Sequence, residues 1–453
     1  MSGSVDVERR LSGEAGLAGV RALLHGDGSA AVTRDIRSML REDQQLHSMR
    51  IQRVHFKPRK KLAVYYEVRA GELAAKNQVA VTWYATPQIP DERFAAVEAE
   101  IRRRRIPTPF ASLWAARMHG ALLFTVAPLD PVFPSLSGLA DPGETAAVVR
   151  SHLASAPKPA GGRVEFVRYR PGQRHVLAYG DARAPSAFVK LYRPGESQQA
   201  ADVVTAFARL AESLSVPCVR VVEPCAVLAG RDALLYERLP GTTLSEHLRK
   251  GRPSSRDALA AVGRWMRALH SYPVALDSPF PRRDLAYESA RVIRACAAMQ
   301  GMRPDLAAYA AVLVYTTCEL LGAMGGESDV AVHGDMKADH VVCAGDDVGI
   351  LDADSCAAAD PALDLGKLLA DLSWWTWQSG HAEERDLADA ALLSGYLPAG
   401  PRLARARLYA ALFLIKMAAR RVSVARRDWA TRTRQVLGLA AGLLPTAVPG
   451  ADP

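Results

Sequence analysis

Two stretches of the 453-residue chain carry one pattern, and that repetition limits the architecture more than any other feature. VHFKPRKKLAVYY (residues 54–66) aligns without a gap on VRYRPGQRHVLAY (residues 167–179). Val54 matches Val167, Phe56 matches Tyr169, Pro58 matches Pro171 and Tyr66 matches Tyr179. VAVTWY (79–84) then resembles AFVKLY (187–192), with Thr82 opposite Lys190. Each copy runs on through a helix-period segment to an aliphatic-proline step, Ile106-Pro107 or Val216-Pro217, and finishes in an apolar strand, ALLFTVA or ALLYERL. The periodicities read as strand, turn, strand, strand, helix, strand, strand, a small twisted sheet with one helix, present twice.

The connector between the copies holds PLDPVFPSLSGLADPGE and ASAPKPAGG, with a helix expected within 144–154. After LPGTTLSEHL the pattern becomes mostly helical, over 256–270, 285–300, 306–324, 382–394 and 403–425. The expected units are therefore 1–160, 161–240 and 241–453, with a frayed LPTAVPGADP tail. The fold class is α+β.

Hydrophobic residues make up 49% and charged residues 23%, values of an ordinary globular chain. No apolar run approaches the roughly 20 unbroken residues of a membrane helix, so no membrane partner is expected. MSGSVDVERRLSG lacks the basic-then-apolar order of a secretory signal. Six scattered cysteines without a CxxC pair point to reduced thiols and a cytoplasmic location. The net charge of +9, from 57 basic and 48 acidic residues, suits anionic ligands such as nucleotides. Zinc-finger spacing, a basic region with heptads and an aromatic–basic RNA signature are missing, so no nucleic-acid partner is expected.

Chemistry concentrates in VAVHGDMKADHVV (330–342) and GILDADS (349–355). Asp335 and Asp352 each end an apolar, strand-like run, and a hairpin between those runs would bring both carboxylates to one rim. Lys190 lies mid-strand between Val189 and Leu191, where an ammonium needs an anionic partner. Phosphoryl transfer needs such parts: a carboxylate to orient the attacking hydroxyl, oxygen ligands for Mg²⁺ and a cation on the phosphates.

HGDMKADHVV, then ILDADS, then DPALDLG resemble the catalytic lobe of the aminoglycoside-phosphotransferase and kinase-like family, and FVKLY and LLYERLPGTTL resemble its lysine strand and hinge. The resemblance implies a bilobal protein-kinase-like fold, a small antiparallel-sheet lobe on a mostly helical one, preceded here by an extra lobe of the first kind. It implies a small-molecule phosphotransferase using ATP or GTP with Mg²⁺. Asp335 becomes the catalytic base, Asp352 the metal ligand and Lys190 the grip on the phosphates. His333 and Asp364 brace the catalytic loop, and Lys337 lies near the transferred phosphate. The hinge, about 236–239 and including Glu237 and Leu239, faces adenine. Arg170, Arg174 and His175, around the single glycine Gly172, stand in for a glycine-rich loop.

This chain departs from the pattern twice. The family's metal-binding Asn falls at His340: either Asp352 alone suffices, or Asp339 helps, or His340 only donates a hydrogen bond. The acidic partner of Lys190 on the following helix falls at Asp202, with Glu196 near the helix start.

On the residues alone, Asp354 and Asp360 read as turn or cap residues, and Trp374, Trp375 and Trp377 as packing. Residues 401–435 carry ten basic side chains and one acid, Asp428; if they line the substrate cleft they favour a neutral or anionic acceptor over a polycation. The competing reading is a pseudokinase or nucleotide-binding scaffold. A protein kinase ranks lower, because few residues separate ILDADS from DPALDLG. The oligomeric state is not readable from the sequence.

Overall fold

The computed structural model describes residues 2–12, 14–71, 75–88, 90–153, 162–181, 184–252, 255–274 and 278–445. Most of ASAPKPAGG, the expected boundary at 160/161 and most of the tail lie outside those residues.

Three helices open the chain: α1 (Ser2–Ser12), α2 (Gly16–Leu24) and α3 (Gly26–Ser38). The first repeat follows as β1 (Leu46–Lys57), β2 (Lys61–Ala70), β3 (Ala75–Tyr84), α4 (Glu92–Arg103), β4 (Trp114–Arg117) and β5 (Leu122–Val126). Two helices, α5 (Leu136–Ala140) and α6 (Pro142–His152), link it to the second. That repeat comprises β6 (Arg163–Arg170), β7 (Arg174–Gly180), β8 (Pro185–Leu191), α7 (Ser197–Ser213), β9 (Val219–Val221), β10 (Ala226–Leu228) and β11 (Ala233–Glu237).

The two sheets have the same strand order, β1-β2-β3-β5-β4 and β6-β7-β8-β11-β10. Register repeats too. Thr82 pairs with Ala63 and Lys190 with Val176, the aligned positions; on the other side Thr82 pairs with Leu123 and Lys190 with Leu234, a register one residue off the ALLFTVA/ALLYERL alignment. A bulge interrupts the first strand pair of each copy, near Gln52 and near Val167. Such bulges twist an edge strand.

The helical unit contains β12 (Thr242–Thr243), α8 (Leu244–Arg249), α9 (Ser255–Leu269), α10 (Leu285–Gln300) and α11 (Pro304–Met324), then the catalytic segment β13 (Val330–Val332), β14 (Val341–Ala344), β15 (Asp347–Ile350) and β16 (Ala357–Ala359). α12 (Ala362–Ser379), α13 (Glu384–Tyr396), α14 (Gly400–Arg420) and α15 (Trp429–Ala441) complete it. The expected hairpin between residues 330–332 and 348–351 does not form. β13 pairs with β16, and β15 pairs with β14 and, in parallel, with β9. α11 is long and apolar enough to cross a bilayer by composition, but Leu306, Ala310, Leu313, Val314 and Leu321 are buried in the lobe's core.

The opening helices touch the helical unit, and the first repeat with the segment after it touches the second sheet. Arg21 donates to the carbonyls of Arg426 and Arg427 (2.8 Å each), and His25 Nε2 bonds the Ala425 carbonyl (2.9 Å). Toward the second sheet, Gln173 Nε2 donates to the Tyr65 hydroxyl (3.1 Å) and the Tyr169 hydroxyl donates to the Leu129 carbonyl (2.5 Å).

Candidate active site

Asp335 follows β13 on a turn that only glycine can make. Gly334 has φ +71°, and a Cβ there would lie 2.2 Å from the Ser355 carbonyl oxygen. Asp352 follows β15 and is itself left-handed, φ 62°, ψ 43°, a strained backbone of the kind functional sites retain. The two loops place Asp335, His340 and Asp352 with ligand atoms within 4.8 Å of one another. His340 Nε2 lies 3.1 Å from Asp352 and its Nδ1 lies 4.0 Å from Asp335, buried and without a hydrogen-bond partner.

Lys190, 7% exposed, reaches down from β8 and binds Asp352 and also Asp354 (2.7 Å). Tyr192 donates to Asp354 (3.2 Å), and Arg174 stands 3.7 Å from the same carboxylate. Asp354 sits in the one-turn 3-10 helix Ala353–Ser355, as a turn residue, and its carboxylate also joins the site. Asp202 is not Lys190's partner. It lies on the exposed face of α7 and accepts from Gln198 (2.8 Å), because Ala201, Val204 and Phe207 take the buried face. Lys190 finds its charge balance on Asp352 and Asp354 instead.

Burial opposes ionisation of Asp335, but Lys367, Lys337 and His340 more than offset it and hold the carboxyl well below its usual range. Lys367 Nζ is 2.7 Å from one carboxylate oxygen and Lys337 Nζ 3.0 Å from the other. Asp352 behaves alike: burial resists the charge, and His340 and Lys190 overcome it.

One face of α12 carries the loop. Asp364, Lys367 and Asp371 recur at helical spacing in an otherwise apolar helix. Asp364, wholly buried, accepts from the backbone N–H of His333 and of Gly334 (2.8 Å), Lys367 meets Asp335, and Asp371 accepts from the Ala338 N–H (2.7 Å). The sequence reading lacked Lys367 and Asp371, although that polar spacing inside DLGKLLAD was the available signal. His333 does not touch the open site. Its Nε2 faces the Leu351 carbonyl (2.9 Å) and so must donate, and its Nδ1 accepts from the Asp335 N–H (3.3 Å). Burial lowers its proton affinity, and the ring acts as a neutral tie between the two loops.

Above the carboxylates lies a cleft of about 530 Å³. Phe188, Lys190, Tyr236, Glu237 and Leu239 line its upper side and Lys337, Val342 and Asp352 its lower. Leu239 seats directly on Gly349, where a Cβ would come within 1.9 Å of its methyl group. Arg174 lines this cleft, whereas His175 turns away, buried, to bond Asp130 (2.8 Å). Asp130 also accepts from the Gly172 N–H (2.7 Å), so the turn replacing the glycine-rich loop is anchored from the segment after the first repeat.

The basic run of 401–435 is largely neutralised. Arg402 and Arg405 bind Glu327, Arg421 binds Asp371 (2.6 Å), Arg434 binds Asp305 (3.0 Å), and Arg432 covers the Trp377 ring (4.4 Å). Lys416, wedged against Glu288 (3.5 Å), is pushed down to about 7 by burial and by Lys367.

Residues 168–409 match the profile of the phosphotransferase enzyme family, more than half of the chain, and Lys190, Asp335, His340, Asp352 and Lys367 fall within that match. The chain belongs to this family. Among solved structures it is similar to a choline/ethanolamine kinase family protein from Mesorhizobium loti, with 18% identity over 66% of this chain and 95% of that one, TM-score 0.42. It is similar to a choline kinase from Cryptosporidium parvum (12% identity, 67% and 95% covered, TM-score 0.46). A third is an aminoglycoside phosphotransferase from Streptomyces rimosus in complex with ADP and streptomycin (22%, 60% and 98%, 0.40). No curated protein sequence matches it.

Proposed function

We propose that this chain moves the γ-phosphoryl group of ATP or GTP to a hydroxyl of a small molecule. The observation that carries the reading is the convergence of Asp335, His340 and Asp352 beneath the Lys190 ammonium. The donor set fits a divalent cation: two carboxylates, and an imidazole nitrogen left buried without a partner. Asp352, with Asp335 and His340 beside it, would hold Mg²⁺, which when bound offsets the charge of the phosphates.

The acceptor hydroxyl donates a hydrogen bond to Asp335. Because Lys367 and Lys337 keep that carboxylate a weak base, its work is chiefly to aim the oxygen. A loose transition state asks for little more before the new O–P bond has formed. The bond from the γ-phosphorus to the bridging oxygen breaks, the diphosphate leaves, and the hydroxyl proton passes through Asp335 to solvent. Lys190 and Arg174 face the phosphates from the sheet, and the 236–239 segment walls the base pocket.

Asp335→Asn and Asp352→Ala should each lower turnover at least 10³-fold, on the order seen when such groups are removed, with the fold intact by circular dichroism. Substantial turnover in either variant refutes the assignment. A nucleotide-binding scaffold is the second reading, favoured by His340 at the asparagine position. It predicts nucleotide-dependent thermal stabilisation with no acceptor-dependent nucleotide consumption.

A further inference from the structure

A cleft of about 880 Å³ lies between the first repeat and β6. Seven basic side chains line it against two acids, Glu67 and Glu165. Glu67 is already engaged by Gln52 (3.2 Å) and Arg69 (3.9 Å). Arg53, on the edge strand of the first sheet, faces Arg168 and Arg170 on the edge strand of the second. Among the described residues, no carboxylate forms an ion pair with any of these three.

The arginines feel one another. Burial in the cleft walls and then Arg168 lower the proton affinity of Arg53, with Arg420 and Arg421 adding to it from the end of α14. Arg170 is pushed down to about 9 by burial and then by Arg53 and Arg168. His55, two positions along the same strand, is held down to about 4 by burial and by Lys57 and Arg53. Like charges gathered without counter-ions destabilise a fold, and a bound anion relieves the repulsion.

The cleft opens toward the catalytic one: Val167 and Arg168 line both. Arg168 also senses Asp335, Asp352 and Asp339. A molecule seated among these arginines can therefore present a hydroxyl toward Asp335.

We propose that the cleft between the two repeats is the acceptor's anion subsite, and that the acceptor is an alcohol bearing a phosphate group, gripped by Arg53, Arg168 and Arg170. The inference rests on the phosphotransferase reading above and names its substrate class. Guanidinium groups suit a phosphate because their fork geometry allows two parallel hydrogen bonds. The first repeat thus supplies a specificity residue, Arg53, to a reaction performed by the other two units. A polycationic acceptor would meet repulsion at the same place.

The test has two arms, both on the full chain with Mg²⁺. In the first, inorganic phosphate and glycerol 3-phosphate are titrated calorimetrically with saturating ADP present, so that the nucleotide site is filled. The wild type should bind both, and Arg53→Ala should weaken binding about tenfold with ADP affinity retained; Arg53→Lys should recover part of the loss and guards against a folding defect. In the second arm, nucleotide consumption is compared for matched alcohols: glycerol and glycerol 3-phosphate, glucose and glucose 6-phosphate, ethanolamine and streptomycin. The phosphorylated member of the glycerol and glucose pairs should be favoured over its neutral partner and over the two cations, ethanolamine and streptomycin, and Arg53→Ala should erase the preference. Phosphate binding that depends on Arg53 without any turnover supports the subsite while removing the phosphotransferase reading. Turnover that favours neutral or cationic alcohols, with no Arg53-dependent phosphate binding, overturns the subsite and leaves the phosphotransferase standing.

Discussion

Replacing Asp130 with alanine tests whether the segment after the first repeat tunes the proposed nucleotide site. Asp130 is 2% exposed, and its carboxylate accepts three hydrogen bonds, from the Gly172 N–H (2.7 Å), from the ring of the fully buried His175 (2.8 Å) and from the Val132 N–H (3.0 Å). A hydrogen bond to a charged group is worth about 1.5–3 kcal/mol, and contributions from one carboxylate do not add fully. The loss is therefore about 3–5 kcal/mol, raised by the imidazole nitrogen left buried without a partner. The same change frees the turn between β6 and β7, whose Arg174 reaches the carboxylate cluster. Asp130→Ala should lower the melting temperature by several degrees and raise the KM for nucleotide about tenfold, while kcat at saturation falls less. Asp130→Asn keeps one acceptor oxygen and should show a smaller version of both effects. Scanning calorimetry and initial rates at varied nucleotide give the two readouts. A variant that melts early but keeps the wild-type KM would show that the anchor serves stability alone and refute the coupling.

Gly349→Ala should drive the new methyl group into Leu239 and raise the nucleotide KM several-fold with kcat little changed, measured by initial rates. Lys367→Met should cut kcat by about 10²-fold, since a cation 2.7 Å from Asp335 is lost while helix α12 keeps its packing; single-turnover rates report it. His340→Asn should move the metal preference from Mn²⁺ toward Mg²⁺, because imidazole suits the softer ion; activity ratios with the two ions measure it. Asp389 is raised to about 7 from 3.8 by burial, with Arg385 at 3.7 Å only partly compensating and one carboxylate oxygen unpaired. A carboxyl whose folded value is raised costs nothing below the unfolded value and destabilises increasingly as pH rises from 3.8 to 7. At about 1.4 kcal/mol per unit this reaches about 4 kcal/mol at neutral pH, and Asp389→Asn should stabilise the protein above pH 7 but not near pH 4, read from urea melts.

Much of this was legible because the decisive signals are local. The repeat was visible in its alternating apolar positions, and the equal strand orders follow from it. Helix α10 ran over the residues its periodicity indicated. Asp335, Asp352 and Lys190 stood out because each interrupts an apolar run with a charge. What stayed hidden was non-local. Lys190's partners, Asp352 and Asp354, are supplied by the far lobe, and nothing near Lys190 in sequence announces them. α12 escaped the period test because both its faces are buried, so the apolar stripe that marks a surface helix is blurred. The arginine cluster draws on strands far apart in the chain and shows only once their edges face each other.

The stacking of the repeats explains why a lysine stands at this strand position in one of them and a threonine in the other. Cross-strand partners share a face of a sheet. In the second repeat the face with Val176, Lys190 and Leu234 overlooks the carboxylates. The equivalent face of the first, with Ala63, Tyr65, Ala80 and Thr82, is not free. Ala63, Tyr65 and Ala80 pack into one buried cluster with Tyr169, Leu177, Val189 and Leu191, the back of the second sheet. A lysine at the position of Thr82, 9% exposed, would sit in that seam with no anion to meet it, so threonine is the residue the stacking requires. What the first repeat retains is its edge, and that edge carries Arg53. The opening helices rest on the helical unit and the seam rests on the second sheet, so the first repeat bridges the two, and its edge leaves that arginine in the cleft between the repeats.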